Sequence, residues 1–80
     1  MTWHVYIVRC ADATLYTGVT TNVERRVHEH NGSVKGAKYT RDRQPVIVVY
    51  TEPCDGRSAA LKREYRIKQL SRAEKERLIK

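Results

Sequence analysis

Phenylalanine is absent from this 80-residue chain and tryptophan occurs once, yet there are five tyrosines. Its aromatic content is therefore mostly phenolic, made of rings that fill space and also carry a hydroxyl. Cysteine is nearly as scarce. Cys10 and Cys54 are too few for a disulfide framework, and neither has a ligand neighbour at metal-binding spacing, so both read as free thiols filling space. No apolar run approaches bilayer length and no signal peptide is recognisable, so an intracellular, reducing, cytoplasmic setting with no membrane partner is expected. Acidic residues are also few: 9 Asp and Glu face 16 Lys and Arg, for a formal charge of +7. That imbalance suits a polyanion, nucleic acid ahead of an anionic membrane. Repeats, low-complexity tracts and linkers are missing. The length allows one domain over residues 1–80, burying only roughly 60–65% of its unfolded surface.

What is present reads as a short alternation of strands and helices. Residues 3–9, Trp-His-Val-Tyr-Ile-Val-Arg, are aromatic and β-branched and predict a strand whose faces are Trp3, Val5, Ile7 and His4, Tyr6, Val8. After the break Ala11-Asp12-Ala13, residues 14–18 predict a second strand, close enough to form an antiparallel hairpin with the first. Register decides how Tyr6 and Tyr16 meet. A loop centred on Ala11 places them directly opposite, and one centred on Asp12 makes them diagonal neighbours.

Thr21-Asn22-Val23-Glu24 has the form of a capping box opening a helix to about His30, with Asn31-Gly32 as its stop. Val23 and Val27 mark its inner stripe, and Arg26 and His30 lie one turn apart on an adjoining face. Residues 32–44 lack periodicity and carry Lys35, Lys38, Tyr39, Arg41 and Arg43, a basic loop of functional length. Residues 45–50, Pro-Val-Ile-Val-Val-Tyr, are continuously apolar and predict a strand covered on both faces. Pro53 to Gly56 turns the chain. A second helix is expected from Ser58 to about Leu70 with Ala60, Leu61, Tyr65 and Ile67 on its apolar face. Ser71-Arg72-Ala73-Glu74 opens a last helix anchored by Leu78 and Ile79. The order ββαβαα predicts an α+β domain with a small, mostly antiparallel sheet flanked by helices.

One residue breaks the apolar pattern. Glu64 lies four residues after Ala60 and three before Ile67, within the stripe that should face the sheet. An ionised carboxylate there needs compensation of several kcal/mol. Two readings supply it: a rim ion pair with Arg63 or Arg66, or a divalent ion of the magnesium type, which binds one carboxylate, waters and substrate phosphate. Arg26 on a basic helix is either solvated or placed to grip phosphate in a bidentate pair. His28 and His30 point to different sides of their helix, which argues against a zinc pair. His30 is either structural or an acid, base or phosphate donor. Each tyrosine alone reads as packing, but two phenols beside Gly18, where substrate or backbone can approach, suggest more. Phenols titrate near pH 10, so a tyrosine acting as base needs a cation or metal beside it, or else orients the attacking water.

With these residues in view, the chain resembles the GIY-YIG nuclease superfamily, most closely its small stand-alone bacterial members, over essentially its whole length. The likeness rests on His4-Val5-Tyr6, Tyr16-Thr17-Gly18, the run Thr20 to Val27, His30-Asn31, Gly36-Ala37-Lys38-Tyr39-Thr40, and Glu64. It implies a three-stranded antiparallel sheet with flanking helices and single-metal phosphodiester hydrolysis. Under that resemblance Glu64 holds Mg2+ or Mn2+, Arg26 contacts the scissile phosphate, Tyr16 stands near the attacking water with Tyr6 as its partner, and His30 matches a His-or-Tyr position. Gly18 is the glycine of the second motif. His4 departs from the first motif's glycine and Thr17 from the second motif's isoleucine. The implied activity is a metal-dependent DNA endonuclease that nicks strands in DNA repair or processing. The basic residues Arg25, Lys35, Lys38, Tyr39, Arg41 and Arg43 would contact the nucleic acid. The alternative is a nucleic-acid-binding module with little or no turnover.

Overall fold

A computed structural model describes residues 2–32 and 38–80; Lys35, Gly36 and Ala37 lie outside the described residues. In chain order the elements are β1 (Trp3–Arg9), β2 (Leu15–Thr20), α1 (Val23–His30), α2 (Lys38–Arg41), β3 (Ile47–Cys54), α3 (Arg57–Lys68) and α4 (Arg72–Ile79). The strands form one sheet of order β2-β1-β3, antiparallel throughout, so the expected sheet architecture holds.

Central position explains why β1 is the most buried element. It has a hydrogen-bonded neighbour on each side and helices over both faces, which leaves Val5, Ile7 and Val8 with no exposed surface and Tyr6 with 1%. Alternation divides these residues between two cores. On one face Val5 and Ile7 pack with Ala60 and Ile67 of α3, ringed by Trp3, Val49, Leu78 and Ile79. On the other, Tyr6, Val8 and Cys10 pack with Val46, Tyr16 and the α1 residues Val23 and Val27. Both cysteines are free thiols, Cys10 buried and Cys54 partly so.

The hairpin turns on Asp12. Its carboxylate accepts from Thr14 N at 3.1 Å and from Thr14 Oγ1 at 2.6 Å, the local bond that lets aspartate shape a tight turn. Ala13 adopts φ 69°, a left-handed conformation that disfavours a residue with a Cβ by roughly 1–2 kcal/mol. The resulting register opposes Tyr6 to Gly18 and Val8 to Tyr16, so the two phenols are diagonal neighbours on one face. Of the two registers left open by sequence, this is the one centred on Asp12.

Several boundaries differ from the sequence reading. The second strand runs to Thr20, because its pairing with β1 continues to His4. The cap of α1 is Asn22 rather than Thr21: the Asn22 side chain accepts from Arg25 N, and Thr21 heads no capping box. Asparagine is the stronger cap, and Thr20 Oγ1 instead takes the Asn22 N–H at 3.1 Å. The apolar run of residues 45–50 is not covered on both faces. It enters β3, an edge strand, where Ile47 is 60% and Val48 43% exposed. A register shift opposite Ile7 and Val8 further disrupts its alternation.

The α3 helix begins at Arg57 with Gly56 as its cap, and its buried face is narrower than expected. Ala60 and Ile67 are inside, whereas Leu61 and Tyr65 face outward. By contrast, the capping box of α4 forms as read, with Glu74 N donating to Ser71 Oγ and Ser71 N to Glu74 Oε1. Beyond the Leu78–Ile79 anchor, Arg9 grips Glu76 with two hydrogen bonds of 2.9 and 3.1 Å while Arg72 reaches both Glu76 and the Ala13 carbonyl. The two guanidiniums hold the Glu76 carboxyl down at about 2.

Candidate active site

The polar cluster sits on the Tyr6 face of the sheet, beneath α1 and α2. Gly18 makes it sterically feasible. An added Cβ there would lie 2.5 Å from the Tyr6 hydroxyl oxygen and 2.7 Å from Cζ, so the phenol lies directly over the glycine. From there the Tyr6 hydroxyl meets His30 Nε2 at 2.8 Å, and His30 Nδ1 meets Thr40 Oγ1 at 2.7 Å. Three residues on three elements thus form one buried chain: Tyr6 is 1% exposed, His30 and Thr40 not at all.

His30 is set in place from its own helix end. Asn31, the α1 C-cap, donates through Nδ2 to the Val46 carbonyl at 2.9 Å and accepts the Val46 N–H at 2.6 Å, stitching α1 to the segment before β3. Tyr16 lies edge-on to the His30 ring at 5.4 Å between centroids. Tyr39 stacks on Tyr16 at 5.6 Å, and the Arg43 guanidinium covers Tyr39 at 4.1 Å from its centroid. Arg43 is itself tied to Asp12 at 3.0 Å and to the Tyr39 carbonyl at 2.7 Å, so α2 is fastened to the hairpin turn.

Arg26 projects from the same face of α1 as His30. It is paired with Glu29 at 2.9 Å and exerts its charge on both Tyr6 and His30. The two titratable groups respond in opposite senses. Burial pushes the Tyr6 phenol up to about 12, against the opposing pull of Arg26. Burial, reinforced by Arg26, lowers His30 below the usual imidazole range, with Glu29 opposing. At neutral pH the pair is therefore an un-ionised phenol beside a neutral imidazole.

Glu64 is partly buried, and its carboxylate pairs with Lys68 one turn on at 3.2 Å, neither Arg63 nor Arg66 being its partner. Arg63 is engaged by Glu52, which also accepts from Tyr50. Glu64 makes no hydrogen bond to the phenol–imidazole cluster among the described residues, but its charge is felt at the Tyr6 hydroxyl, where it is the weakest of the influences. Among the described residues no three His, Cys, Asp or Glu side chains converge as a metal cage. A lone carboxylate whose ion-pair partner among the described residues is an exposed lysine fits a largely hydrated magnesium-type ion that takes its remaining ligands from water and phosphate. It does not fit zinc.

The structure therefore brings Tyr6, Tyr16, Gly18, Arg26 and His30 into one cluster, with Glu64 reaching it electrostatically. The basic set is more dispersed. Arg25, Lys38 and Arg41 are exposed, Tyr39 and Arg43 form the stack above Tyr16, and Lys35 lies outside the described residues. Thr40 and Asn31 stand within the motifs that carry the family resemblance, but the sequence assigned neither a role of its own. Their signal was adjacency: Asn31 follows His30, and Thr40 follows Tyr39 in the one-turn helix α2. His4 is a further case. It stands where the first motif has glycine, and its Nδ1 is buried with no partner among the described residues.

Sheet topology, the paired phenols, the helical arginine and the remote glutamate define a GIY-YIG-type domain. The GIY-YIG catalytic domain matches residues 2–77, and the chain belongs to the GIY-YIG family, a family of nucleases. A UPF0213 protein of Desulfotalea psychrophila is 64% identical over 98% of this chain and 71% of its own. Solution NMR structures of a UPF0213 protein from Bacillus halodurans and of a protein from E. faecalis are similar, with TM-scores of 0.62 and 0.65 and identities of 47% and 44%. They cover 99% and 96% of this chain, and 83% and 81% of their own. No helix among the described residues is long and apolar enough to cross a membrane.

Proposed function

We propose that the chain is a divalent-metal-dependent DNA endonuclease that nicks strands by phosphodiester hydrolysis, acting in DNA repair or processing. The observation that carries this reading is the buried Tyr6–His30 pair lying beside Arg26 on one sheet face. A packing role does not need a phenol aimed at an imidazole beneath a guanidinium, whereas hydrolysis needs a proton acceptor next to an anion-binding cation.

In this reading Glu64 would hold Mg2+ or Mn2+, which supplies Lewis-acid stabilisation of the leaving oxygen when bound. Lys68 can yield the carboxylate, since its own side chain is exposed and free to turn into solvent. Arg26 binds the scissile phosphate and stabilises the charge that builds up on it. The attacking water, oriented by Tyr16, forms the new P–O bond as it loses a proton to the Tyr6 oxygen, while the Tyr6 proton passes to His30 Nε2. The P–O bond on the opposite side of the phosphorus breaks, and the leaving oxygen takes a proton from solvent. Tyr6 stays neutral throughout, so a phenol raised to about 12 is no obstacle. His30, neutral at the outset, ends as the imidazolium. The exposed cations and Tyr39 contact backbone and bases.

A second reading, a binding module with little turnover, is favoured by one observation: Glu64 is tied to Lys68 and belongs to no group of three or more metal-ligand side chains among the described residues. Nicking of supercoiled plasmid with and without Mg2+ separates the two. The nuclease reading expects metal-dependent nicking that Glu64→Ala reduces at least about 100-fold, with DNA binding retained. Equal nicking by wild type and Glu64→Ala would overturn the role of Glu64. Tight binding with no cutting on any substrate would leave the module.

A further inference from the structure

Thr40 sits where it can decide which nitrogen of His30 carries the proton. It is fully buried, its Oγ1 lies 2.7 Å from His30 Nδ1, and its carbonyl is held by the Arg43 N–H at 3.0 Å. At the other end of the ring, Tyr6 is 1% exposed, its hydroxyl lies 2.8 Å from His30 Nε2, and its other neighbour there, the Arg26 guanidinium, can only donate to it. Were Nε2 protonated, the phenol O–H would be left in a buried site without the ring nitrogen as its acceptor, an unfavourable arrangement. One arrangement gives the phenol an acceptor and uses both ring contacts: Tyr6 O–H donates to Nε2, and Nδ1–H donates to Thr40 Oγ1. We propose that Thr40 is a positioning residue that fixes His30 as the Nδ1–H tautomer and so leaves Nε2 free to take the proton of Tyr6.

This rests on the nuclease reading for its catalytic meaning but not for its geometry. The groups facing the ring from the packed elements are Tyr6 of β1, Tyr16 of β2, Arg26 and Glu29 of α1, and Thr40 of α2. Arg26 is always a cation and cannot accept a hydrogen bond, and of the groups that can accept, Thr40 Oγ1 is the one at 2.7 Å from Nδ1. In the proton transfer described above, the Nε2–H bond forms as the Tyr6 O–H bond breaks. The resulting imidazolium keeps its Nδ1–H on Thr40, so no rearrangement accompanies the step. A tautomer held by the group behind the ring is the device that orients histidine bases in general.

Long-range nitrogen–proton NMR of the His30 ring tests the proposal directly, using wild type, Thr40→Ser and Thr40→Val. Wild type and Thr40→Ser are expected to show a protonated Nδ1 and a bare Nε2, whereas Thr40→Val should lose that preference. Nicking kcat should fall about 10–100-fold in Thr40→Val with KM little changed, and Thr40→Ser should restore it. A wild-type ring protonated at Nε2, or a Nδ1–H preference that persists in Thr40→Val, overturns the proposal whatever the activity. Should Thr40→Val fail to fold, the wild-type and Thr40→Ser spectra still decide. If the spectra agree with expectation and no variant cuts DNA, the nuclease reading fails while the tautomer assignment stands.

Discussion

The two faces of β1 are built from alternate residues of one strand yet solve different problems. Val5 and Ile7 meet Ala60 and Ile67 across an apolar contact, where only shape and volume matter. Tyr6, one residue away on the other face, is as deeply buried but brings a hydroxyl that must find a partner. His30 provides it, Thr40 backs His30, and Asn31 fixes the end of the helix that carries His30. The apolar face is held by area and tolerates adjustment. The polar face is held by a few directed bonds, and each can fail separately. Burial alone therefore does not distinguish scaffold from site in so small a protein; the direction of the bonds does.

The largest effect is expected on the apolar side. Ile67→Ala removes a fully buried side chain and should destabilise the fold by about 2–5 kcal/mol in urea unfolding. At a temperature where the variant is still folded, the His30 ring signals and the nicking rate should match wild type. A selective loss of nicking in the folded variant would mean that the two faces are not separable.

Gly18→Ala attacks the polar side through sterics. The new Cβ cannot coexist with Tyr6 where it lies, so the ring must move away from His30. The expected cost is about 1–3 kcal/mol of overpacking in thermal unfolding, accompanied by loss of the Tyr6–His30 signature in the ring spectra. An unchanged ring environment would show that the phenol has room to spare.

The smallest effect is set by pH. Burial and Arg26 lower His30 relative to its unfolded value near 6.5, so the unfolded chain binds a proton more readily than the folded one. The stability this linkage protects is fully present above about pH 6.5 and is lost as pH falls below it towards the depressed folded value. Wild type should therefore lose stability on acidification from pH 7 to 5 more steeply than His30→Gln. Parallel pH curves would contradict the burial of a neutral imidazole.

Much of this was legible in the sequence because the signals were local. The β1 faces, the α4 capping box and the pairing of Arg26 with His30 on one helix face follow from periods of 2 and 3.6 and from capping chemistry. The hairpin was readable to within two registers, and the Asp12 turn chose between them. Failures came where tertiary context decides. An apolar run at residues 45–50 looks the same whether its strand ends up central or at an edge, and β3 lies at an edge. Leu61 and Tyr65 fit the α3 stripe by spacing, but the helix crosses the sheet on a narrower line through Ala60 and Ile67. Glu64 was legible as an anomaly, whereas its pairing with Lys68 rather than Arg63 depended on Glu52 claiming the arginine from another strand. Thr40 was legible only as part of the motif at residues 36–40, because its contact with His30 joins residues ten apart that local patterns do not connect.

Tyr6→Phe tests most directly whether the polar face is a reaction site rather than a second core. It keeps the ring and nearly all of the packing and removes only the oxygen that meets Arg26 and His30. Single-turnover nicking with saturating DNA and Mg2+, at a temperature where circular dichroism shows both proteins folded, should fall at least about 100-fold in Tyr6→Phe. Nicking at the wild-type rate by the folded Tyr6→Phe protein would contradict the account, and Tyr6 would then be a packing residue like Ile7.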